Sequence, residues 1–234
     1  MTTETQVLFN NAELSLAAYA NLDKSLATDD PDNLAALRSA GMSNTQAEEF
    51  AVRYPDVVAV YSDPDTDFQA TVFKSADGQL TVAIRGTLGG ADLLEDAVSI
   101  APYGCAYNQI VSMYNWWQRA TNTTDEWVPQ YDVQLLSLLE TPPAGSVFLN
   151  QVPNPLLPDV LFSRYLVPID QAPGEGVAGQ ELIAALAVDP LVDVTGHSLG
   201  GHLAMAFASI FGAGNVVTFK VKGDRPRLIN HPPS

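Results

Sequence analysis

Apolar residues recur at helical spacing through the N-terminal region of the chain. Leu8, Ala12, Leu16 and Tyr19 repeat every three or four positions, which predicts an apolar face along an amphipathic helix. Two more helices are predicted over residues 33–40 and 44–54. The second of these opens with a capping-box pattern, Ser43 followed three residues later by Gln46. We therefore expect this region to be helical and to serve in packing, with no chemistry of its own.

The pattern then changes to the short apolar runs that are typical of strands. Strands are predicted over residues 57–61, 68–74, 80–85, 191–195 and 216–219, and helices over residues 108–120, 179–187 and 199–211. Asp77-Gly78 is a strong signal for a hairpin between two of the strands. Strands that alternate with helices in the second half predict an α/β fold with a mainly parallel sheet and flanking helices.

Proline is concentrated between Trp127 and Pro173. Eight of the 16 prolines fall there, at positions 129, 142, 143, 153, 155, 158, 168 and 173. Proline removes a backbone donor and fixes φ, so regular structure is expected to be short and interrupted. Apolar residues remain plentiful in this segment. Residues 121–178 are therefore interpreted either as a lid-like, acyl-binding insertion or as a loop excursion packed on the main domain.

Length and composition limit the classes of protein that fit. A chain of 234 residues with 47% hydrophobic and 16% charged residues fits one globular domain, here residues 1–219. The formal net charge of −16 argues against a nucleic-acid partner, because phosphates would be repelled. No apolar run is long enough for a transmembrane helix, and the start lacks the pattern of a Sec signal peptide.

Gly196-His197-Ser198-Leu199-Gly200 carries the main candidate chemistry. A predicted strand runs into this Gly-x-Ser-x-Gly sequence and a predicted helix leaves it, which is the strand–turn–helix context of a nucleophile elbow. Ser198 is the predicted nucleophile. The backbone N–H of Leu199, at the positive end of the helix dipole, is a predicted oxyanion donor.

Arg85-Gly86-Thr87, followed by GHSLGGHLA about a hundred residues later, resembles the bacterial lipases related to fungal class 3 lipases. More narrowly, it is similar to the catalytic part of calcium-binding, repeat-containing secreted lipases. The resemblance implies an α/β-hydrolase fold, ester substrates, no cofactor for the chemical step, and the N–H of Thr87 as second oxyanion donor. It also implies an acidic stretch after the turn that follows Arg85-Gly86-Thr87, and residues 92–96 match this stretch. The location implied by the resemblance is extracellular, and a cytoplasmic location is the alternative. Calcium is implied by the resemblance alone, and no metal ligands are assigned.

The predicted base and acid lie close to the end of the sequence. In this fold the order is nucleophile, acid, histidine, and Ser198, Asp224 and His231 have that order. The alternative is that the Pro-rich terminus holding His231 is disordered. His197 is expected to point away from Ser198, in a structural or substrate contact, and His202 to be a packing or polar-contact residue.

Residues 220–234 differ from the rest of the chain. Four of the 11 Lys and Arg residues fall within this atypical basic tail, where a family-like sequence would continue into further strands. We therefore expect a lipase fold that lacks its C-terminal strands. Two functions follow as hypotheses: a serine esterase or lipase acting on acylglycerol-type esters, or a truncated fragment that binds lipid or protein. A variant of the first hypothesis keeps the serine enzyme but changes its reaction to thioester hydrolysis, peptide hydrolysis or acyl transfer.

Overall fold

The computed structural model describes residues 3–86, 105–137, 139–153, 159–175, 180–219 and 227–230, the side chains of 105–106 and 227–230 excepted. It is a mixed α/β structure with a six-stranded sheet, in the order β1-β2-β3-β7-β8-β9, and a separate three-stranded sheet, in the order β4-β6-β5. The strands of the larger sheet are β1 (Asp56–Asp63), β2 (Phe68–Lys74), β3 (Leu80–Ile84), β7 (Asp193–His197), β8 (Asn215–Phe219) and β9 (Arg227–Asn230). The predicted α/β class is confirmed at this level.

The larger sheet is mixed, which corrects the expectation of a mainly parallel one. Strand β7 pairs in parallel with β3 and with β8, whereas β1–β2, β2–β3 and β8–β9 are antiparallel. Short turns join β1, β2 and β3, and a short turn can connect only antiparallel neighbours. The parallel pairs have a helix in the intervening chain, as crossovers require.

Strand β9 also changes the expectation about the C-terminal tail. Residues Arg227–Asn230 of the predicted atypical tail form this strand, which pairs with β8 from Asn215 to Thr218. The backbone of this part of the tail therefore extends the sheet at the side where further strands were expected to be missing.

Helices cover both faces of the larger sheet. On one face lie α1 (Glu4–Ala17), α2 (Pro31–Ser39) and α3 (Asn44–Arg53), and on the other α4 (Cys105–Ala120), α5 (Gln180–Val188) and α6 (Leu199–Phe211). A hydrophobic core lies between each face of the sheet and its helices. Side chains along β3 point alternately into the two cores: Val82 and Ile84 pack with α4 and α6, whereas Ala83 packs with the N-terminal helices. Among the described residues, no helix has both the length and the apolar character needed to cross a membrane.

The three helices predicted in the N-terminal region are present, but the apolar face predicted for the first is not its buried face. Helix α1 ends at Ala17, before Tyr19, and its buried residues are Glu13, Leu14, Ser15 and Ala17. The capping box at α3 is present: Gln46 N donates to Ser43 Oγ at 3.2 Å, and Ser43 N donates to Gln46 Oε1 at 3.0 Å. These two bonds satisfy backbone donors that the helix itself leaves free.

The proline-rich segment is more regular than its composition predicts. It contains β4 (Trp127–Leu136), β5 (Val147–Pro153) and the 13-residue β6 (Leu161–Pro173). Pro129 lies at a register shift between Val128 and Gln130. Pro168 lies past Leu166, beyond the part of β6 that pairs with β5, so it has a strand neighbour on one side only. Prolines at bulges and strand edges remove no ladder bond that the sheet needs, and this explains why the expectation of short, interrupted structure was wrong.

Candidate functional site

Ser198 lies in the turn between β7 and α6 in a backbone conformation that side chains rarely adopt. Its φ is 58° and its ψ is −123°, and a non-glycine residue in this region costs about 1–3 kcal/mol of strain. Ser198 N donates to Phe219 O at 2.7 Å, and Ser198 O accepts from Gly201 N at 3.0 Å. These bonds tie the turn to β8 on one side and to the first turn of α6 on the other.

Two glycines permit this tight turn. A Cβ on Gly196 would lie 2.3 Å from Gly200 O, and a Cβ on Gly200 would lie 2.3 Å from Ile84 O. In both positions the obstacle is backbone, so a side chain would require the strand or the helix to move. The glycines of the sequence pattern therefore allow β3, β7 and α6 to converge around Ser198.

The end of β3 lies directly against Ser198. A Cβ on Gly86 would be 2.5 Å from His197 O and 3.5 Å from Ser198 Cβ. The predicted donor Thr87 follows Gly86 in the chain but lies outside the described residues. Leu199, the other predicted donor, is the first residue of α6, and Ser198 makes no side-chain cap bond to that helix. The Ser198 side chain, which is at the cap position of α6, therefore accepts no hydrogen bond from the first N–H groups of this helix.

Arg85 holds the end of β3 in place through bonds to Asp67 and Gln69. Its guanidinium is buried and donates to the side chain of Gln69 and to the carboxylate of Asp67. Arg85 Nη2 also donates to Asp67 O at 3.0 Å, and Arg85 N donates to Gln69 O at 3.0 Å. Four bonds from one residue to the start of β2 fix where the chain leaves the sheet next to Ser198.

His197 faces α1, which places it on the opposite side of β7 from α6. It shares this face with Thr195, whose hydroxyl lies 2.8 Å from Ser15 Oγ of α1. The Nδ1 atom of His197 is 3.3 Å from the Tyr19 hydroxyl. The contact with Tyr19 fits a structural role for His197, whereas its predicted orientation away from Ser198 and its assignment to substrate contact stay predictions.

Tyr19 joins three parts of the site and was not predicted to have any chemistry. Burial raises its pKa, although a hydrogen bond from the Gly86 backbone N–H and the nearby charge of Arg85 act in the opposite direction. Because the hydroxyl oxygen accepts from Gly86, its proton can point to His197 Nδ1, which would leave the ring proton on Nε2. Burial lowers the pKa of His197, which favours this neutral ring at neutral pH.

A cavity of about 290 Å³ lies beside these residues, between α1 and the ends of β7 and β8. The described residues that line it are Ala12, Ser15, Leu16, Tyr19, His197 and Phe219. Most of this surface is apolar, and Ser15, Tyr19 and His197 are the residues with polar side chains among those named. Only their position in the folded chain brings these residues together, so no local sequence pattern indicates the cavity.

Some of the predicted site residues are not among the residues that the structure describes. Asp224, His231 and the acidic residues 92–96 lie outside the described residues, as does Thr87. His202 is exposed on α6, and its backbone N–H donates to Ser198 O at 3.3 Å. Within the described part of the chain, neither His197 nor His202 hydrogen bonds the Ser198 side chain. No group of three His, Cys, Asp or Glu residues in this part is arranged to hold a metal ion, so no residue is assigned to calcium.

Comparisons of the chain with protein families, with curated proteins and with solved structures each found no match.

Proposed function

We propose that the protein is a serine hydrolase of the α/β-hydrolase type that cleaves carboxylic esters, with Ser198 as nucleophile. The observation that carries the proposal is the conformation of Ser198, at φ 58° and ψ −123°, between two glycines that no other residue could replace without backbone movement. A protein retains strain of this kind where the surrounding structure enforces it, most often at functional sites. The resemblance to bacterial class 3-like lipases gives the same assignment from the sequence.

The proposed reaction begins with attack of Ser198 Oγ on the ester carbonyl carbon. The carbonyl oxygen becomes negatively charged, and the N–H groups of Leu199 and Thr87 are the proposed donors that stabilise it. Collapse of this tetrahedral intermediate expels the alcohol and leaves an acyl-enzyme, which water then hydrolyses.

The proposed base is His231, oriented by Asp224, because neither histidine next to the turn is suited to the task. His197 faces α1, with Nδ1 directed to Tyr19, and the His202 side chain is exposed on α6. A base must lie within hydrogen-bond reach of the proton that it removes. The chain order Ser198, Asp224, His231 is the order that this class of hydrolase uses.

A fluorophosphonate probe tests the proposal, because it phosphonylates only an activated serine. We expect rapid adduct formation on Ser198, located by mass spectrometry, with labelling lost in Ser198→Ala. Ser209→Ala is the matched control, since Ser209 lies on α6 with its hydroxyl donating to Met205 O at 2.9 Å, and it should label like the wild type. Folded wild-type protein that resists labelling would contradict the proposal.

A second function, a non-catalytic module that binds lipid or protein, is favoured by the three-stranded sheet. Large apolar side chains are exposed on its strands: Trp127, Leu135, Val147, Phe148 and Ile169. Exposed apolar groups in one region are a common feature of interaction surfaces. This function predicts sedimentation with phospholipid vesicles that Ser198→Ala leaves unchanged, together with no fluorophosphonate adduct.

A further inference from the structure

We propose that the Tyr19 hydroxyl is a positioning group for the oxyanion hole, because it joins the end of β3 to the turn that carries Ser198. This inference rests on the proposed function, since it assigns a further residue to the same site. The two proposed donors, the N–H groups of Thr87 and Leu199, belong to two separate segments of the chain. The stabilisation that they give together depends on how these segments are placed relative to one another.

Gly86 lies past the ends of both ladders that β3 forms. The pairings of β3 with β2 and with β7 end at Ile84, and Gly86 is buried. A buried backbone donor needs a hydrogen-bond partner. The Tyr19 hydroxyl oxygen accepts from the Gly86 N–H, so a side chain from the end of the first helix supplies the bond that no strand provides.

This bond acts on the residue that precedes the proposed donor Thr87. Gly86 must be glycine, because a Cβ there would be 2.5 Å from His197 O and 2.6 Å from the Tyr19 hydroxyl. Glycine also has more backbone freedom than any other residue. Gly86 contributes the carbonyl group of the peptide whose N–H belongs to Thr87, so a bond that fixes Gly86 limits the directions in which that N–H points.

The second contact of the hydroxyl is with the segment that holds the other donor. Tyr19 Oη is 3.3 Å from His197 Nδ1, and His197 immediately precedes Ser198 and Leu199 in the chain. A hydroxyl accepts from one partner while it donates to another. Tyr19 therefore links Gly86, one residue before the first proposed donor, with His197, two residues before the second.

The backbone around Tyr19 is held firmly enough to define a position. The flanking residues Ala18 and Ala20 are buried, and Ala20 O accepts from Gln69 Nε2 at 3.5 Å. The Gln69 side chain also accepts from the guanidinium of Arg85, the residue before Gly86. Tyr19 and the end of β3 are thus connected to the same side chain, and a group supported in this way can hold a site in a fixed geometry.

The experiment compares wild type, Tyr19→Phe and Tyr61→Phe on p-nitrophenyl butyrate and on its thiono analogue, in which sulfur replaces the carbonyl oxygen. Tyr19→Phe removes only the hydroxyl. Tyr61→Phe is the matched control, because Tyr61 is also half-buried and its hydroxyl accepts from Arg119 Nη2 at 3.3 Å. Tyr61 lies on β1, which β2 separates from β3, so its hydroxyl has no part in the site.

We expect Tyr19→Phe to lower kcat for the ester about tenfold and to change KM less than about twofold, since the donors act in the transition state. Complete loss of one donor costs about a hundred- to a thousandfold, and a displaced donor should cost less. The ratio of kcat/KM for the ester to that for the thionoester should fall about threefold, because sulfur accepts weaker hydrogen bonds and depends less on the donors. Partial unfolding lowers both rates equally and leaves this ratio unchanged. Tyr61→Phe should retain the wild-type kcat, KM and ratio.

A measurement without substrate tests the bond itself. Hydrogen exchange followed by NMR should show the Gly86 amide exchanging about tenfold faster in Tyr19→Phe than in wild type or Tyr61→Phe, and unchanged exchange would overturn the proposal. Ester hydrolysis by Tyr19→Phe with the wild-type kcat and ratio would overturn the positioning role and leave the hydrolase intact. A folded wild type that neither hydrolyses the ester nor forms the fluorophosphonate adduct would overturn the proposed function, and the positioning role with it.

Discussion

At the scale of single residues, Gly200 lies where the backbones of β3 and α6 come closest. A Cβ there would be 2.3 Å from Ile84 O and 2.8 Å from Arg85 C, so Gly200→Ala must separate the helix from the strand. We expect it to lower the free energy of unfolding by about 3 kcal/mol. Gly201→Ala is the comparison, because its Cβ would lie 3.1 Å from Gly196 O and from Thr218 Cβ, contacts that shifts of a few tenths of an ångström relieve, and because alanine is the better helix former by about 1 kcal/mol; its loss should be smaller. Urea unfolding measures both, and equal losses would contradict this account.

The half-buried position of His197 predicts a pH dependence of stability. Burial lowers its pKa, so the unfolded chain takes up a proton more readily than the folded protein does. The contribution of His197 to stability is therefore complete above its ordinary pKa of about 6.5 and is lost as the pH falls through the lowered value. When the pH is lowered from about 8 to about 5, the free energy of unfolding measured with urea should fall less for His197→Asn than for the wild type. His202→Asn, which removes an exposed histidine, should retain the wild-type dependence, and identical pH profiles for all three proteins would refute the prediction.

The sequence predicts the turn around Ser198 but not the residues that surround it. Gly196, Ser198 and Gly200 lie within five positions, and their spacing reflects constraints that act locally. The contact between Tyr19 and His197 joins residues 178 positions apart, and only packing of α1 against β7 brings them together. For this reason Tyr19 was identified as part of the apolar stripe of a helix and not as a neighbour of the nucleophile.

At the scale of secondary-structure elements, α1 is fastened to β7 by a buried polar contact. Ser15 Oγ lies 2.8 Å from Thr195 Oγ1, and Thr195 Oγ1 also donates to Val217 O at 2.9 Å. A double-mutant cycle of Ser15→Ala and Thr195→Val measures the coupling, which we expect to be about 1 kcal/mol in urea unfolding.

The matched control for this cycle pairs Ser15→Ala with Ser43→Ala, which removes the cap of α3. Ser43→Ala should itself cost about 1 kcal/mol. Because Ser43 is exposed and bonded to Gln46, with no partner in common with Ser15, the two effects should add to within about 0.5 kcal/mol. A coupling between Ser15 and Thr195 no larger than that of the control pair would show that the contact does not fasten the helix.

Helices and strands were predictable where their period is clear, whereas strand pairing was not. The predicted helix over residues 199–211 matches α6, and the predicted strand over residues 68–74 matches β2. A mainly parallel sheet was expected because the predicted order of elements in the second half alternates strand and helix. The antiparallel strands β1, β2 and β3 make up half of the larger sheet. The spacing of apolar residues along the sequence predicts where strands form but not which strands are neighbours. The proline count likewise failed to predict the smaller sheet, because its effect depends on strand edges that only the fold defines.

At the scale of the whole molecule, α4 connects the two sheets. Met113 and Trp116 are buried in the core of the larger sheet. From the same helix, Asn115 Nδ2 donates to Tyr131 O at 2.8 Å and Tyr131 N donates to Asn115 Oδ1 at 3.0 Å. The smaller sheet is thus attached to this helix by polar bonds, including one from Arg119 to the Gln130 side chain, and by the ring contact of Tyr114 with Tyr131, while Met113 and Trp116 belong to the other core. Regions held by few buried apolar contacts are the ones that open locally.

This arrangement predicts that the smaller sheet opens independently of the larger one. Asn115→Ala removes both bonds to Tyr131, each of which contributes about 0.5–1.5 kcal/mol. Hydrogen exchange followed by mass spectrometry should therefore show amides of β4 and β6 exchanging about ten- to a hundredfold faster, while β2 and β3 remain protected. Asn108→Ala, at an exposed position of the same helix, should leave both sheets unchanged. If β2 and β3 lost protection together with β4 and β6, the two sheets would form one cooperative unit, and α4 would transmit unfolding between them.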